Sequence, residues 1–223
     1  MKKSKMERLA PRRALHTANG HVLRPVVGVD IDGTLGAFHE HFLWFASLYL
    51  GRSLPQTWKG NEPFWKILGT SKTVYREVKL AYRQSGLKRA MPMIGGASTM
   101  VRSVREAGCE IWICTTRPYL RLDNIDPDTR AWLRRNGIPF DGVLYGDKKW
   151  ADLARLVGPE RVLGVLDDLP EQMEAANRAG LAVNLVRRPY TEGRYSGLVT
   201  VPQAHELLLT RCRSWMKERN VRR

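Results

Sequence analysis

Short apolar runs rich in β-branched residues alternate along this chain with segments of helical periodicity. The apolar runs, each short enough for a buried strand, cover 25–30, 110–115, 142–145, 161–166 and 181–186. Helical patterns follow at 97–107, 127–136, 148–157, 170–179 and 202–218, and a glycine stands just after each of the first four, where a helix C-cap is expected. This alternation predicts an α/β domain with a parallel sheet of about five strands flanked by helices.

The stretch 36–93 interrupts the alternation. It contains helix-like segments near 38–50, 62–68 and 72–85 and is rich in aromatic residues. Connections from a strand to the next helix usually take only ~2–6 residues, so this stretch is too long to be one. We therefore expect a helical cap inserted after the first strand, with the core formed by 25–35 and 94–210.

The net charge of +15 is concentrated at the two ends of the chain. Residues 1–24 and 211–223 together carry +11 of it, which predicts a basic N-terminal arm and a basic C-terminal tail. Basic arms attract polyanions and also keep a protein soluble. Contact with nucleic acid and two solvated tails are therefore both open interpretations.

Composition excludes several other classes of protein. Hydrophobic residues make up 43% and charged residues 26%, the balance of a globular chain. The longest apolar stretch, 42–50, is interrupted by Ser47 and falls far short of the ~20 residues of a membrane span. The basic N-terminus runs into Pro11 rather than an apolar stretch, and three cysteines cannot form a paired framework. We expect no membrane partner and a cytoplasmic location.

Polar residues follow the predicted strands at the points where they end. They are Asp30 and Asp32 after the first strand, Thr115, Thr116 and Arg117 after the second, Lys148 or Lys149 after the third, and Asp167 and Asp168 after the fourth. Ligands of parallel α/β sheets bind outside the carboxyl ends of the strands. Carboxylates and hydroxyls converging there with a lysine indicate a site for Mg²⁺ and a phosphate.

The sequence here resembles the haloacid dehalogenase (HAD) superfamily of phosphatases, a Rossmann-like fold. The resemblance rests on Asp30-Ile-Asp-Gly-Thr-Leu35, on an apolar strand ending in Thr115, on a lysine at a helix start, and on an apolar strand ending in Asp167-Asp168. It implies a phosphatase acting through an aspartyl-phosphate on Asp30, with Asp32 as general acid and base.

The same resemblance assigns the remaining site residues. The side chains of Asp30 and Asp167 and the backbone carbonyl of Asp32 would bind Mg²⁺. Asp168 would orient water on the metal or the lysine. The phosphoryl oxygens would be held by Thr115, Thr116, Arg117 and Lys148.

A non-catalytic phospho-receiver or binding module is a third class of function, but a receiver would need no general acid such as Asp32.

The choice of lysine stays open between two neighbours. Lys148 is favoured because it lies 19 residues before Asp167 and because Asp147-Lys148 resembles the corresponding stretch of pyrimidine 5′-nucleotidases. Lys149 is the alternative, and the lysine that is not used would be solvated.

The inserted cap and Ile113-Cys114-Thr115-Thr116 resemble the deoxyribonucleotidase-type 5′-nucleotidases. That resemblance implies a nucleoside monophosphate as the phosphorylated small molecule, with aromatic cap residues enclosing the base. Phe42 and Trp65 are the leading contacts, although either could instead belong to the cap's own core.

A second resemblance is to the 3′-phosphatase domain of polynucleotide kinases. It rests on Arg117, two residues after Thr115, and on the helix at 127–136. It would make a nucleic-acid end the substrate, which suits the basic arms. The long insertion argues against it, because a closed cap would exclude a polymer.

Overall fold

The computed structural model of the chain describes residues 23–60, 62–118 and 121–220, with the side chains of 219 and 220 excepted. Its strands are β1 Val26–Val29, β2 Glu110–Thr115, β3 Gly142–Tyr145, β4 Val162–Asp167 and β5 Val183–Leu185. Its α-helices are α1 Phe38–Leu50, α2 Phe64–Ile67, α3 Lys72–Gln84, α4 Ala97–Glu106, α5 Ile125–Arg135, α6 Lys149–Val157, α7 Pro170–Arg178 and α8 Val201–Asn220. Short 3-10 turns cover Leu87–Ala90 and Pro159–Arg161.

The five strands form one parallel sheet in the order β3-β2-β1-β4-β5. The predicted α/β class and the five-stranded parallel sheet are confirmed. The central strand β1 aligns Val29 with Ile113 of β2 and with Leu166 of β4. Because the three strands are parallel and in register, the residues that follow each of them meet at one edge of the sheet.

Helices cover both faces of the sheet. One face packs α4, α5 and α8 against the sheet through residues such as Met100, Trp132 and Leu208. The other packs α6 and α7, with Trp150 fully buried among them. Gly28 of β1 leaves the room for this second layer, because a Cβ there would lie 2.8 Å from Trp150 and from Leu153.

The insertion, which we define as residues 36–93, contains α1, α2 and α3 and lies between β1 and α4 in the chain. Its helices share an apolar cluster made of Phe42, Leu43, Ala46, Leu68, Val78 and Tyr82. Salt bridges join it to the core, from Arg188 to Glu40 at 3.0 Å and from Arg89 to Asp128 at 2.5 Å.

The structure describes the two basic ends of the chain to different extents. The expected N-terminal arm lies outside the described residues apart from 23 and 24. The expected tail at 211–223 overlaps the helix predicted at 202–218, and in the structure α8 continues to Asn220 and buries Cys212 and Trp215 in the core. Arg211 donates to the carbonyl of Leu163 at 2.9 Å, so part of this basic segment packs against the sheet.

None of the described helices combines the length and the hydropathy that crossing a bilayer requires.

The buried Trp132 gives a direct test of this packing. It is fully buried, and its indole donates to the carbonyl of Met91 at 2.6 Å. Trp132→Ala should lower the free energy of unfolding by about 3–5 kcal/mol, because it opens a cavity and leaves that carbonyl unpaired. The matched control is Trp44→Ala, whose side chain is 50% exposed and whose loss should cost less than about 1 kcal/mol. Urea unfolding of both variants measures the difference, and equal losses would contradict the packing described here.

Candidate active site

Three aspartates lie together at the carboxyl edge of the sheet. Asp30 follows β1 directly, and Asp167 and Asp168 lie at the end of β4. The three side chains are 4%, 1% and 0% exposed, and one carboxylate oxygen of each lies within 4.8 Å of the others. The register that pairs Val29 with Leu166 brings them together. The chain therefore buries an acidic cluster, which requires positive charge nearby.

Lys149 supplies that charge. Its Nζ lies 2.6 Å from Oδ1 of Asp30 and 2.7 Å from Oδ2 of Asp167, and the residue is 1% exposed. Lys148, by contrast, is exposed at the N-terminus of α6. The expectation that Lys148 faces the site is wrong. Successive residues of a helix point about 100° apart, so only one of two neighbouring lysines can face the sheet.

The buried charges shift each other's protonation. Burial raises the pKa of Asp30 to about 7, aided by the negative charge of Asp167 and Asp32 and opposed by Lys149. Burial and the same acidic neighbours raise the pKa of Asp168 well above its usual range. Burial alone would lower the pKa of Lys149, but Asp30 and Asp167 outweigh it and raise the pKa above its ordinary value. The cluster thus has more negative charge than one lysine neutralises.

The donor set of this cluster fits a divalent cation. All its ligand atoms are carboxylate oxygens, which Mg²⁺ prefers. Asp167 pairs with the Lys149 ammonium through Oδ2 at 2.7 Å and accepts the backbone N–H of Leu169 through Oδ1 at 3.0 Å, which leaves lone pairs on both oxygens. Asp168 differs, because Thr34 donates to its Oδ1 at 3.4 Å and the Tyr190 hydroxyl donates to its Oδ2 in a short hydrogen bond. Asp30 and Asp167 therefore have free coordinating capacity, and Asp168 is held in place beside them.

Asp32 lies in a separate, basic environment. Arg117 binds it through two nitrogens, at 2.5 and 3.2 Å, and Nζ of Lys88 lies 2.5 Å from its Oδ2. Burial alone would raise the pKa of Asp32, but these two cations hold it far below its usual range. Burial and the adjacent guanidinium lower the pKa of Lys88 to about 7. Arg117 was expected to bind phosphate, and the structure instead directs it at Asp32 and the hydroxyl of Thr129.

The two threonines after β2 separate. Thr115 is buried and its hydroxyl accepts the backbone N–H of Arg117 at 3.4 Å. Thr116 is exposed and lines the cavity above the aspartates. Both lie at the predicted edge, and Thr116 is the one open to a ligand.

A cavity of about 170 Å³ opens over this edge. Its walls combine the site with side chains of the insertion: Asp30, Asp32, Phe38, His39, Phe64, Lys79, Arg83, Lys88, Thr116, Arg117, Lys149, Asp168 and Leu169. The aromatic contacts expected from the sequence, Phe42 and Trp65, are not among them. Phe42 is 1% exposed in the core of the insertion, and Trp65 packs near Lys66 and Lys72. The aromatic rings that line the cavity are instead those of Phe38, His39 and Phe64.

His39 is a buried histidine in the wall of this cavity. It is 7% exposed, its ring stacks on Phe64 at 5.5 Å, and its Nδ1 has no hydrogen-bond partner among the described residues. Burial lowers its pKa to about 3, so the imidazole is neutral at pH 7. A neutral ring of this kind can exchange hydrogen bonds with an uncharged group of a ligand.

Sequence reasoning missed several residues of this site. Thr34 stands in the first motif and Tyr190 follows β5, so the rule that sites form at strand ends could have indicated both. Lys88 and His39 lie in the insertion, 56 and 7 residues from Asp32 along the chain. No local pattern marks them, because their position depends on how the insertion packs.

Comparison with known proteins places the fold. No family model and no curated protein matches the sequence. Among solved structures, a predicted phosphatase from Clostridium acetobutylicum is 14% identical, with a TM-score of 0.60 over 84% of this chain and 99% of that one. The magnesium-bound YfnB of Bacillus subtilis, described as a HAD-hydrolase, is 11% identical, with a TM-score of 0.58 over 83% and 98%. CbbY of Rhodobacter sphaeroides in complex with phosphate is 20% identical, with a TM-score of 0.52 over 79% and 92%.

The fold of this chain is thus similar to that of solved HAD-type hydrolases. The resemblances to nucleotidases and to polynucleotide kinase phosphatases stay predictions.

The two lysines at the start of α6 provide a matched test of the site. Lys149→Met removes the cation between two buried aspartates and should lower the free energy of unfolding by about 3–5 kcal/mol without added metal. Lys148→Met alters an exposed side chain and should change it by less than about 0.5 kcal/mol. Denaturant unfolding of both variants with EDTA present checks this, and a larger loss for the Lys148 variant would contradict the observed geometry.

Proposed function

We propose that this protein is a Mg²⁺-dependent phosphatase that hydrolyses phosphate monoesters through an aspartyl-phosphate intermediate. The observation that carries the proposal is the position of Asp30. It lines the cavity beside the acidic pair Asp167-Asp168, with Lys149 bridging Asp30 and Asp167 and with Asp32 two residues further along. The HAD fold, shared with structures crystallised with phosphate or magnesium, supports the same reading.

The first half of the reaction uses Asp30 as nucleophile. Its carboxylate oxygen forms a bond to phosphorus as the ester P–O bond breaks, and the leaving oxygen takes a proton from Asp32. Lys149 and Thr116 line the cavity beside Asp30 and are placed to hold phosphoryl oxygens. In the second half, water attacks phosphorus, gives its proton to Asp32, and the bond to Asp30 breaks to release phosphate.

The metal would be held by Asp30 and Asp167. When bound, Mg²⁺ supplies positive charge that offsets repulsion between these carboxylates and the phosphate. The side chain of Asp168, fixed by Thr34 and Tyr190, keeps the neighbouring carboxylate in position.

The ion pairs around Asp32 favour its carboxylate form, which suits the second half-reaction. Arg117 and Lys88 stabilise its carboxylate, and a carboxylate can accept a proton from water but cannot donate one. Acting first as an acid requires that substrate binding weaken one of these ion pairs. Lys88 belongs to the insertion, so a shift of the insertion on binding would meet this requirement.

The substrate class that we propose is a nucleoside monophosphate. Phe38, His39 and Phe64 give the cavity aromatic walls, and stacking of a base on such a face contributes ~1–3 kcal/mol. These walls replace the contacts that the sequence had suggested.

The nucleophile is tested by Asp30→Asn, which keeps the shape of the side chain and removes its nucleophilic oxygen. Turnover of p-nitrophenyl phosphate with Mg²⁺ should fall at least about 1,000-fold, while circular dichroism reports an intact fold. Asp32→Asn should also depress turnover, but its Mg²⁺ affinity by calorimetry should stay closer to wild type, since its side chain is not assigned to the metal. Retention of more than a few per cent of activity in Asp30→Asn would exclude the aspartyl-phosphate route.

The substrate is tested by kcat/KM over a panel of nucleoside 5′-monophosphates, sugar phosphates and 3′-phosphorylated oligonucleotides. Nucleoside monophosphates should exceed sugar phosphates by about tenfold or more, because only they can stack. Phe64→Leu should reduce that preference, and Trp65→Leu, outside the cavity, serves as its control. A preference for sugar phosphates would contradict the nucleotide proposal, and one for oligonucleotides would favour the 3′-end phosphatase.

A further inference from the structure

One face of α3 carries a row of cations. Arg76, Lys79 and Arg83 are spaced by three and four residues, so they lie on the same side of the helix. Arg121, after β2, faces them across a groove of about 250 Å³ that all four residues line. We call Arg76, Lys79, Arg83 and Arg121 the α3 basic stripe.

The stripe is continuous with the reaction centre. Lys79 and Arg83 line both this outer groove and the cavity that contains Asp30. Arg83 also borders a third pocket, of about 340 Å³, together with Thr116 and Arg121. A substrate with its reacting phosphate at Asp30 would therefore extend along the stripe.

Carboxylates approach the stripe but do not pair with it in the described part of the chain. Asp32 acts on Arg83 from a distance, and Asp147 lines a pocket with Arg83 and Arg121. The salt bridges found among residues 23–60, 62–118 and 121–220 involve none of its four members. The ammonium of Lys79 instead donates to the hydroxyl of Tyr75 at 2.9 Å. Burial lowers the pKa of Arg83; Asp32 and Tyr75 oppose this effect, and the neighbouring Arg121 adds to it. Lys79 and Arg83 are partly buried and Arg76 and Arg121 are exposed. A row of cations that form no salt bridge favours binding of an anion.

The reacting phosphate does not account for these cations. Lys149 and the metal would neutralise it at Asp30, and Lys88 and Arg117 are occupied by Asp32. Two of the stripe's members that face each other are arginines, whose planar guanidinium groups bind phosphate through paired hydrogen bonds. The stripe thus has the charge and the donors for a phosphate of its own.

We propose that the α3 basic stripe binds a second phosphate group of the substrate. This inference rests on the proposed phosphatase chemistry and revises its substrate, from a nucleoside monophosphate to a nucleotide that carries another phosphate beyond the one removed. The same chemistry has two sources, a nucleoside bisphosphate or the phosphodiester next to a 3′-phosphorylated end. In both, the stripe raises affinity and fixes which phosphate reaches Asp30.

The test compares substrates with one and with two phosphate groups. They are p-nitrophenyl phosphate, a nucleoside 5′-monophosphate, a nucleoside 3′,5′-bisphosphate and a 3′-phosphorylated dinucleotide. Wild-type kcat/KM should be highest for one of the last two, and that one identifies the source. Lys79→Gln and Arg83→Gln should each lower that preference over the monophosphate about 10- to 100-fold, mainly through KM. Arg134→Gln, an exposed arginine of α5, is the matched control and should leave the preference intact.

Binding separates failure of this inference from failure of the proposed function. Calorimetry on Asp30→Asn compares the affinities for the bisphosphate, the dinucleotide and the monophosphate without any hydrolysis. If wild type hydrolyses no ester but this preference for two phosphates appears and is lost in Arg83→Gln, the phosphatase proposal fails and the second site stands. If esters are hydrolysed but neither two-phosphate ligand is preferred, or both stripe variants weaken all substrates equally, the second site is overturned.

Discussion

The rest of this structure depends on how the chain compensates a buried cluster of negative charge. Asp30, Asp167 and Asp168 are almost fully buried. Buried side chains stay charged only when they are paired or bind a metal ion. Lys149 makes the pairing possible because α6 begins directly at the edge where β1 and β4 end. The remaining excess of negative charge creates the demand for a cation. Uncompensated buried charge destabilises the folded chain, so binding of a cation there would stabilise it.

A second charge balance gives the two aspartates that follow β1 different environments. Asp30 and Asp32 are separated by one residue, yet burial raises the pKa of one to about 7, and Arg117 and Lys88 hold the pKa of the other far below its usual range. Environments that shift the pKa values of two carboxylates in opposite directions suit the two groups to different chemical roles. Lys88 comes from the insertion, so the insertion contributes charge to the reaction centre as well as covering it.

The fold and the positions of the aspartates could be predicted from the sequence because both depend on local patterns. Strand periodicity and the residues at strand ends predict the parallel sheet and the place of Asp30 and Asp167. The prediction was wrong for the lysine, because a shift of one residue along the chain decides whether Lys148 or Lys149 faces the site. It was also wrong for Phe42, because an aromatic-rich insertion gives no sign of which rings form its own core and which face outwards. Lys88 was missed because only tertiary packing brings it to Asp32.

The size of the cavity constrains how a substrate can lie. Its volume of about 170 Å³ is below the ~300–1,000 Å³ of common ligand pockets, so it suits the phosphoryl group and only part of a leaving group. The remainder must either displace the insertion or continue into the neighbouring grooves beside α3. Lys79 and Arg83 stand where the cavity meets the outer groove, so a leaving group taking that route passes two cations before reaching solvent. The path available to the leaving group therefore favours anionic substrates over neutral ones of the same size.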